Sequence, residues 1–309
     1  MKPEEQWPTA GVFLPVEDYD LAATLNSGQV FRWQKHGDFW IGVIGDNLIR
    51  LRRRSNTIIA ETNSSIKDWN CVPNFLQTNA DLEKILQTFP DDEPMNWAVA
   101  ACHGLRVLRQ EPWECLASFI LSATKQIVQI RQIVARLCHC FGEPIQSFNL
   151  ADSEPHPAKN GSNSSERIAD LAHAFPSCQR IAGLTEKQLR DCRMGFRAPN
   201  LLAAARHISE GKLDLESLRQ KSYHDAREEL MKLRGVGEKI ADCVLLFAYG
   251  FDSAFPVDVW VERALRTLYF PRRRIKEKEL LKFAATHFGP HAGYAQQYLF
   301  HYMRTCHER

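Results

Sequence analysis

The hydrophobic period of the chain changes once along its length, which restricts the fold to a small sheet followed by a helical body. Four runs rich in aromatic and β-branched residues lie between Gly28 and Glu61: Gln29-Val-Phe-Arg-Trp33, Phe39-Trp-Ile-Gly-Val-Ile44, Asn47-Leu-Ile-Arg-Leu-Arg52 and Thr57-Ile-Ile-Ala-Glu61. The breaks His36-Gly37-Asp38, Gly45-Asp46-Asn47 and Ser55-Asn56 supply positive-φ residues and local side-chain bonds that close hairpins. An antiparallel meander is the expected result. Arg50, Arg52, Arg53 and Arg54 in it are explained more cheaply by exposed strand positions and edge protection than by phosphate binding.

After Pro112 the period becomes helical. Ile127, Ile130, Val134, Leu137, Cys138 and Phe141 form one apolar stripe, stopped by Gly142 at a C′ position. Further helical segments are predicted near 166–175, 186–194, 199–210, 223–233, 238–249, 258–269, 276–287 and 291–305. Thr185 and Gln188 have capping-box spacing, and Gly211 is placed to close the helix before it. The polar, breaker-rich stretch from Asp152 to Ser165 reads as a mobile surface insertion, 151–165. The expected fold class is α+β: an N-terminal antiparallel β-sheet domain over residues 1–110, packed on an α-helical domain over 111–309.

Composition removes several function classes. With 309 residues, 44% hydrophobic and 25% charged, the chain can build two real cores and is not a disordered or disulfide-stapled peptide. Its longest apolar runs fall far short of the roughly 20 residues of a membrane span, and no secretory leader pattern opens it. Nine cysteines scattered without paired spacing suit a reducing compartment. An intracellular protein with no membrane partner is expected. The net charge of +2 conceals an asymmetry: residues 1–100 carry nine Lys/Arg against fourteen Asp/Glu, whereas 260–309 carry ten against four. That basic C-terminal half hints at a polyanion, although a solvated face explains it as well.

The segment Leu233-Arg-Gly-Val-Gly-Glu-Lys239 carries the chemistry. Two glycines one residue apart permit a tight hairpin between helices and let backbone N–H groups at the second helix's N-terminus approach an anion. Gly235, Val236 and Gly237 therefore make a candidate phosphate-binding hairpin, though an ordinary helix–helix turn uses the same residues. Nineteen positions after Lys239, Phe255-Pro-Val-Asp-Val-Trp260 places Asp258 at the start of the next helix.

Here the chain resembles the helix-hairpin-helix DNA glycosylases, in which such a hairpin precedes a Val-Pro-Val-Asp segment, and Lys with Asp is the pattern of the bifunctional glycosylase/AP lyases. Ser27-Gly-Gln-Val-Phe-Arg-Trp33, Arg193-Met-Gly-Phe-Arg197 and Ala292-Gly-Tyr-Ala-Gln-Gln-Tyr-Leu-Phe300 are similar to successive motifs of the 8-oxoguanine DNA glycosylase family. The resemblance runs from about residue 10 to 305. It implies a monomer that excises 8-oxoguanine from damaged double-stranded DNA and then nicks the strand. The compartment would be the cytoplasm or nucleoid of a prokaryote or the nucleus of a eukaryote.

Roles follow from the resemblance position by position. Lys239 is the nucleophile, at a helix N-terminus and in a pocket that both disfavour its ammonium form. Asp258 stabilises positive charge developing on the sugar; taken alone it would be read as a helix N-cap, and Lys239 as a phosphate contact. Gly28 presents the carbonyl that accepts the N7–H of the lesion. Cys243 and Phe300 sandwich the flipped base and Gln296 reads its Watson–Crick edge; in the absence of the resemblance Cys243 and Phe300 are ordinary core. Phe196 is the wedge beside the extruded nucleotide and Arg197 contacts the orphaned cytosine. Arg272, Arg273, Arg274 and Lys276 could add phosphate contacts.

The chain also departs from the family's pattern. Thr124-Lys125-Gln126 replaces an Asn-rich turn, Gln129 an arginine that reads cytosine, Arg234 the hairpin proline and Trp260 a histidine of some members. A glycosylase for an alkylated or ring-opened purine is therefore the first alternative, and a non-catalytic DNA-binding hairpin the second. No cofactor is expected. Cys138-His139-Cys140 is too tightly spaced for an ordinary zinc site and reads as buried thiols, and His287, His291, His301 and His307 lack a metal motif. Cys306 is the sole cysteine after Cys243, which leaves no four-cysteine iron–sulfur set. The hairpin carbonyls could hold a monovalent cation.

Overall fold

A computed structural model describes residues 11–62, 66–145 and 171–305. Five strands, β1 (Gly11–Pro15), β2 (Trp33–His36), β3 (Phe39–Ile44), β4 (Asn47–Arg54) and β5 (Thr57–Glu61), form an antiparallel sheet in the order β1-β5-β4-β3-β2. Registers His36↔Phe39, Ile44↔Asn47 and Arg54↔Thr57 leave two-residue loops, each opening on a positive φ: Gly37 at 55°, Gly45 at 58° and Ser55 at 50°. That backbone matches the twist of the strands it joins.

The meander is thus present, with three differences. The run predicted from Gln29 enters the sheet only at Trp33, because the buried Gln29 side chain bonds to backbone groups of residues 24 and 106–108. β1, unforeseen, pairs with β5. β4 is an interior strand, so edge protection does not explain its arginines. Arg50 pairs with the buried Glu61 at 2.8 Å and lies over the Phe39 ring, and Arg52 is buried against the same carboxylate.

Leu14, Trp33, Trp40, Ile49, Leu51, Ile58 and Leu76 form the core on one face of the sheet. A larger core gathers the helices, including Pro112–Ser122, Ile127–Phe141, Ala198–Ser209, Tyr223–Met231 and Ala292–Thr305. Helix Glu93–Cys102, unforeseen in the sequence, packs along Ala292–Thr305 and belongs to that core through Met95, Ala98 and Cys102.

Most predicted helices are present. Thr185 and Gln188 close the expected capping box on Glu186–Asp191. Gly142 ends Ile127–Phe141 in extended backbone; the constraint there is space, since an added Cβ would run into the Ala174 carbonyl. Residues 171–175 are not helical, and His173 instead bridges to Pro144. The insertion predicted at 151–165 lies outside the described residues, as do Cys306 and His307. Within Cys138-His139-Cys140 only Cys138 is buried; Cys140 is exposed.

The hairpin is locked by one carboxylate. Asp242, buried on helix Glu238–Val244, accepts from Tyr223 Oη at 2.7 Å and from Arg227 Nε at 2.7 Å, both on the preceding helix Tyr223–Met231. Arg227 also reaches Glu238 at 3.1 Å. Removing the carboxylate strands a half-buried guanidinium and a hydroxyl, so Asp242→Ala should cost about 3 kcal/mol. Urea unfolding measures this, and an unchanged midpoint would show that the lock contributes nothing.

Candidate active site

Everything in the site is referred to the hairpin turn. Gly235 has φ +81°, and a side chain there would strike the amide of Asn200. Val236 is buried and donates to Leu233 O at 3.1 Å. Gly237 is the N-cap of Glu238–Val244, and its carbonyl accepts the first intrahelical bond from Ala241. Lys239 is therefore in the first turn of this helix, half-buried, with Nζ 5.9 Å from the centre of the Phe119 ring.

One helical turn further, Cys243 is fully enclosed, and burial pushes its thiol up to about 12, with Asp258 opposing ionisation and Lys239 favouring it. It is a neutral surface at physiological pH and not a competing nucleophile. Asp258 is indeed the N-cap of helix Val259–Ala264: its Oδ1 accepts from Trp260 N at 3.0 Å and Val261 N at 2.9 Å. Both bonds fall on Oδ1, which leaves Oδ2 for other work. Burial holds this carboxyl above the ordinary carboxylate value, while the two backbone donors and the charges of Lys239 and Arg304 pull it down. Lys239, Cys243 and Asp258 thus share one electrostatic environment.

The facing wall comes from the sheet domain's connection and the last helix. Gly28 has φ +79°, and a Cβ on it would stand 2.9 Å from Ile127 Cδ1, 3.1 Å from Phe300 Cε1 and 3.2 Å from Arg304 Nη1. Gln296, one turn before Phe300, is buried with Oε1 making no hydrogen bond among the described residues. An enclosed carbonyl oxygen without a donor is costly unless something else supplies one. His301 is buried beside Arg304, and burial with that positive charge lowers it to about 4.

Thr124, Phe196 and Arg197 form a second cluster. Phe196 is 59% exposed. Arg197, expected to reach a base, is buried instead: Nε donates to Ala123 O at 2.7 Å, Nη1 to Met194 O at 3.2 Å, and Nη2 to Thr124 Oγ1 at 2.6 Å. It holds Thr124 at φ +55° and lies 4.2 Å under the Phe196 ring. Gln129 is likewise engaged, its Oε1 accepting from Gln126 N at 3.4 Å at the start of Ile127–Phe141. Arg272, Arg273 and Arg274 are exposed.

Sequence reasoning missed Gln29, Gln297 and Arg304. Gln297 Nε2 donates to Ser27 O at 2.8 Å and Arg304 Nη2 to Asn26 O at 3.3 Å, which fixes the Gly28 segment against the last helix. The available signal was two consecutive amides inside an apolar helix. A separate cavity of about 290 Å³ at the sheet–helix junction, lined in part by Arg32, Phe75, Arg109, Glu111 and Glu114, contains none of the candidate residues. Its Arg32 and Glu114 are already paired at 3.2 Å. No group of three or more His, Cys, Asp or Glu among the described residues is arranged to hold a metal ion.

Comparison with known proteins places this arrangement. Residues 117–289 match the HhH-GPD superfamily of base excision DNA repair proteins, and residues 12–116 the N-terminal domain of 8-oxoguanine DNA glycosylase. The chain belongs to the HhH-GPD superfamily and, within it, to the 8-oxoguanine DNA glycosylase family. It is 29% identical to a probable N-glycosylase/DNA lyase of Methanothermobacter thermautotrophicus, over 94% of this chain and 95% of the relative. A structure of MBOgg1 in complex with a low-affinity DNA ligand superposes with TM-score 0.83 at 31% identity, covering 95% of both chains. The Clostridium acetobutylicum 8-oxoguanine glycosylase/lyase, in complex with DNA containing cytosine opposite 8-oxoG, gives 0.81 at 28% identity, covering 95% and 97%.

Gly28→Ala adds left-handed strain of about 1–2 kcal/mol to contacts near 3 Å against Ile127, Phe300 and Arg304. A lower melting temperature is expected; an unchanged one would mean that the segment can shift away from the last helix.

Proposed function

We propose that the protein is a bifunctional DNA glycosylase/AP lyase that excises 8-oxoguanine from duplex DNA as a monomer. The observation that carries this reading is the electrostatic coupling of Lys239, Cys243 and Asp258, with Arg304, which lies against Gly28 and Phe300, coupled to the same Asp258. A DNA-binding hairpin alone needs neither the amine nor the carboxylate.

In the reaction the neutral amine of Lys239 attacks the sugar C1′, the glycosidic bond breaks, and its electron pair leaves with the base, which takes up a proton. The nitrogen lone pair then opens the ring: the C1′–O4′ electron pair goes to O4′, which takes up a proton, and a protonated Schiff base results. It acidifies the C2′ proton, and loss of that proton expels the 3′ phosphate by β-elimination. Asp258 Oδ2 stabilises the positive charge that develops on the sugar, in a site where little water screens it. Gly28 accepts N7–H from the lesion; guanine offers a lone pair there, and the two acceptors repel. Cys243 and Phe300 hold the base between them, and the unpaired Gln296 Oε1 takes a donor from its Watson–Crick edge. Phe196 enters the stack in place of the extruded nucleotide. Arg197 reaches the opposite base only after giving up bonds to Ala123, Met194 and Thr124.

Gly235, Val236 and Gly237 carry a backbone phosphate on the N-terminus of the nucleophile's helix. The reading also allows a monovalent cation on the hairpin carbonyls, since Leu233 O and Gly237 O each accept one backbone N–H and keep a second lone pair. No helix among the described residues is long and apolar enough to cross a membrane.

Borohydride should trap a covalent adduct on a duplex containing 8-oxoguanine, and Lys239→Gln should abolish it; an undiminished adduct with that variant would refute the assignment of the nucleophile. A duplex with a methylated purine tests the base choice, because preferential trapping there would replace 8-oxoguanine as substrate.

Asp258 yields a prediction in which stability and activity part. Its carboxyl is raised by burial, so its contribution to stability is present below the unfolded value and is lost as pH rises through the folded one. Asparagine preserves the cap but removes the charge. Asp258→Asn should therefore melt at or above the wild-type temperature at pH 7, yet excise about 100-fold more slowly. In the wild type, excision should fall as the pH is lowered through a value above 3.8, and the variant should lack that limb. A variant that is both fast and equally pH-dependent would exclude Asp258 from the chemistry.

A further inference from the structure

One charged group in the pocket has no assigned task. Arg304, one turn after Phe300, sends a guanidinium inward against Gly28, with its centre 5.5 Å from the middle of the Phe300 ring. Nη2 donates to Asn26 O at 3.3 Å, whereas Nη1 is buried and has no hydrogen-bond partner among the described residues. The neighbouring Arg131 likewise has a buried Nε with no partner among the described residues, and burial and mutual repulsion disfavour the charge on Arg304. A cation held there with an empty donor is unfavourable in the free protein and implies an acceptor that arrives with the substrate.

We propose that Arg304 reads the C8 carbonyl of the lesion, donating from Nη1 to that oxygen while the adjacent Gly28 carbonyl accepts N7–H; this rests on the 8-oxoguanine reading above. In 8-oxoguanine the N7–H donor and the O8 acceptor are neighbours on the five-membered ring. A protein edge that recognises both must set an acceptor beside a donor, and Gly28 with Arg304 Nη1 does so. Guanine offers a lone pair at N7 and a C–H at C8, so it is mismatched twice. A ring-opened purine keeps an N–H and a formyl carbonyl, whereas a 3-methylated adenine has neither. A backbone phosphate fits Nη1 less well, because that atom is enclosed among Gly28, Ile127 and Phe300, the groups that wall the base.

The test compares single-turnover excision of 8-oxoguanine with cleavage of the same duplex carrying a preformed abasic site. For Arg304→Met the ratio of the two rates should fall at least about 10-fold relative to wild type, the size expected for losing a charge-assisted hydrogen bond. Equal losses on both duplexes, with the salt dependence of binding reduced by about one phosphate contact, would overturn the proposal in favour of a backbone contact. An unchanged ratio would overturn it too. If Arg304→Met does not fold, Arg304→Lys decides on the same ratio. Failure of the wild type to excise 8-oxoguanine would instead sink the underlying reading, a result distinguishable by its independence of residue 304.

Discussion

The site depends on a buried polar joint between segments far apart in sequence. Gln29 places its Nε2 among Thr24 O, Ser27 Oγ and Arg106 O, and its Oε1 on Leu108 N. Its own carbonyl accepts from Gln110 Nε2 at 2.8 Å, and Gln297 reaches Ser27 O from the last helix. Apart from the one to Ser27 Oγ, these bonds go to buried backbone groups, so the joint cannot slide without breaking several of them at once. Gly28 is suspended in that joint. Its left-handed backbone is affordable because it is glycine, and its carbonyl has a defined direction because its neighbours cannot move.

The hairpin fixes the other wall by different means. Asp242 ties its two helices through Tyr223 and Arg227, and Cys243, the next residue, is buried within reach of the charges of Lys239 and Asp258. Adjacent positions on one helix thus divide structure and chemistry between them. Asp258 combines two environments within one side chain, one oxygen starting a helix and the carboxyl as a whole feeling the charge of Lys239. Capping also restricts its rotamer, so the carboxylate is oriented before any substrate arrives, which is the condition for useful electrostatic stabilisation.

Local signals made much of this legible. The meander's turn residues and the helical stripes depend on near neighbours, and the three two-residue hairpins and the Thr185 capping box formed as their residues dictate. What was not legible depends on distant partners. Gln29 looks like a strand residue in a run with Val30, Phe31 and Trp33, and only Arg106, Leu108 and Gln110, about 80 positions away, pull it from the sheet. Arg50 and Arg52 look like edge residues as a run of arginines, but β4 lies between β3 and β5 and Glu61 on β5 stands opposite Arg50. Cys138 and Cys140 are two apart on a helix and so cannot share a face. For the candidate site, the identities at Lys239, Asp258 and Gly28 were readable through the resemblance. The state of Arg197 was not, since its acceptors are carbonyls, which every residue possesses.

That state of Arg197 bears on the turn between two helices that flank the candidate site. The turn 123–126 joins helix Pro112–Ser122, whose Phe119 lies under Lys239, to helix Ile127–Phe141, whose first residue abuts Gly28. Thr124 in that turn sits at positive φ, a strained setting for a non-glycine residue, and Arg197 bonds both its hydroxyl and the preceding carbonyl. Withdrawal of Arg197 would remove the groups that hold the turn, and the helices on either side of it carry Phe119, near Lys239, and Ile127, against Gly28.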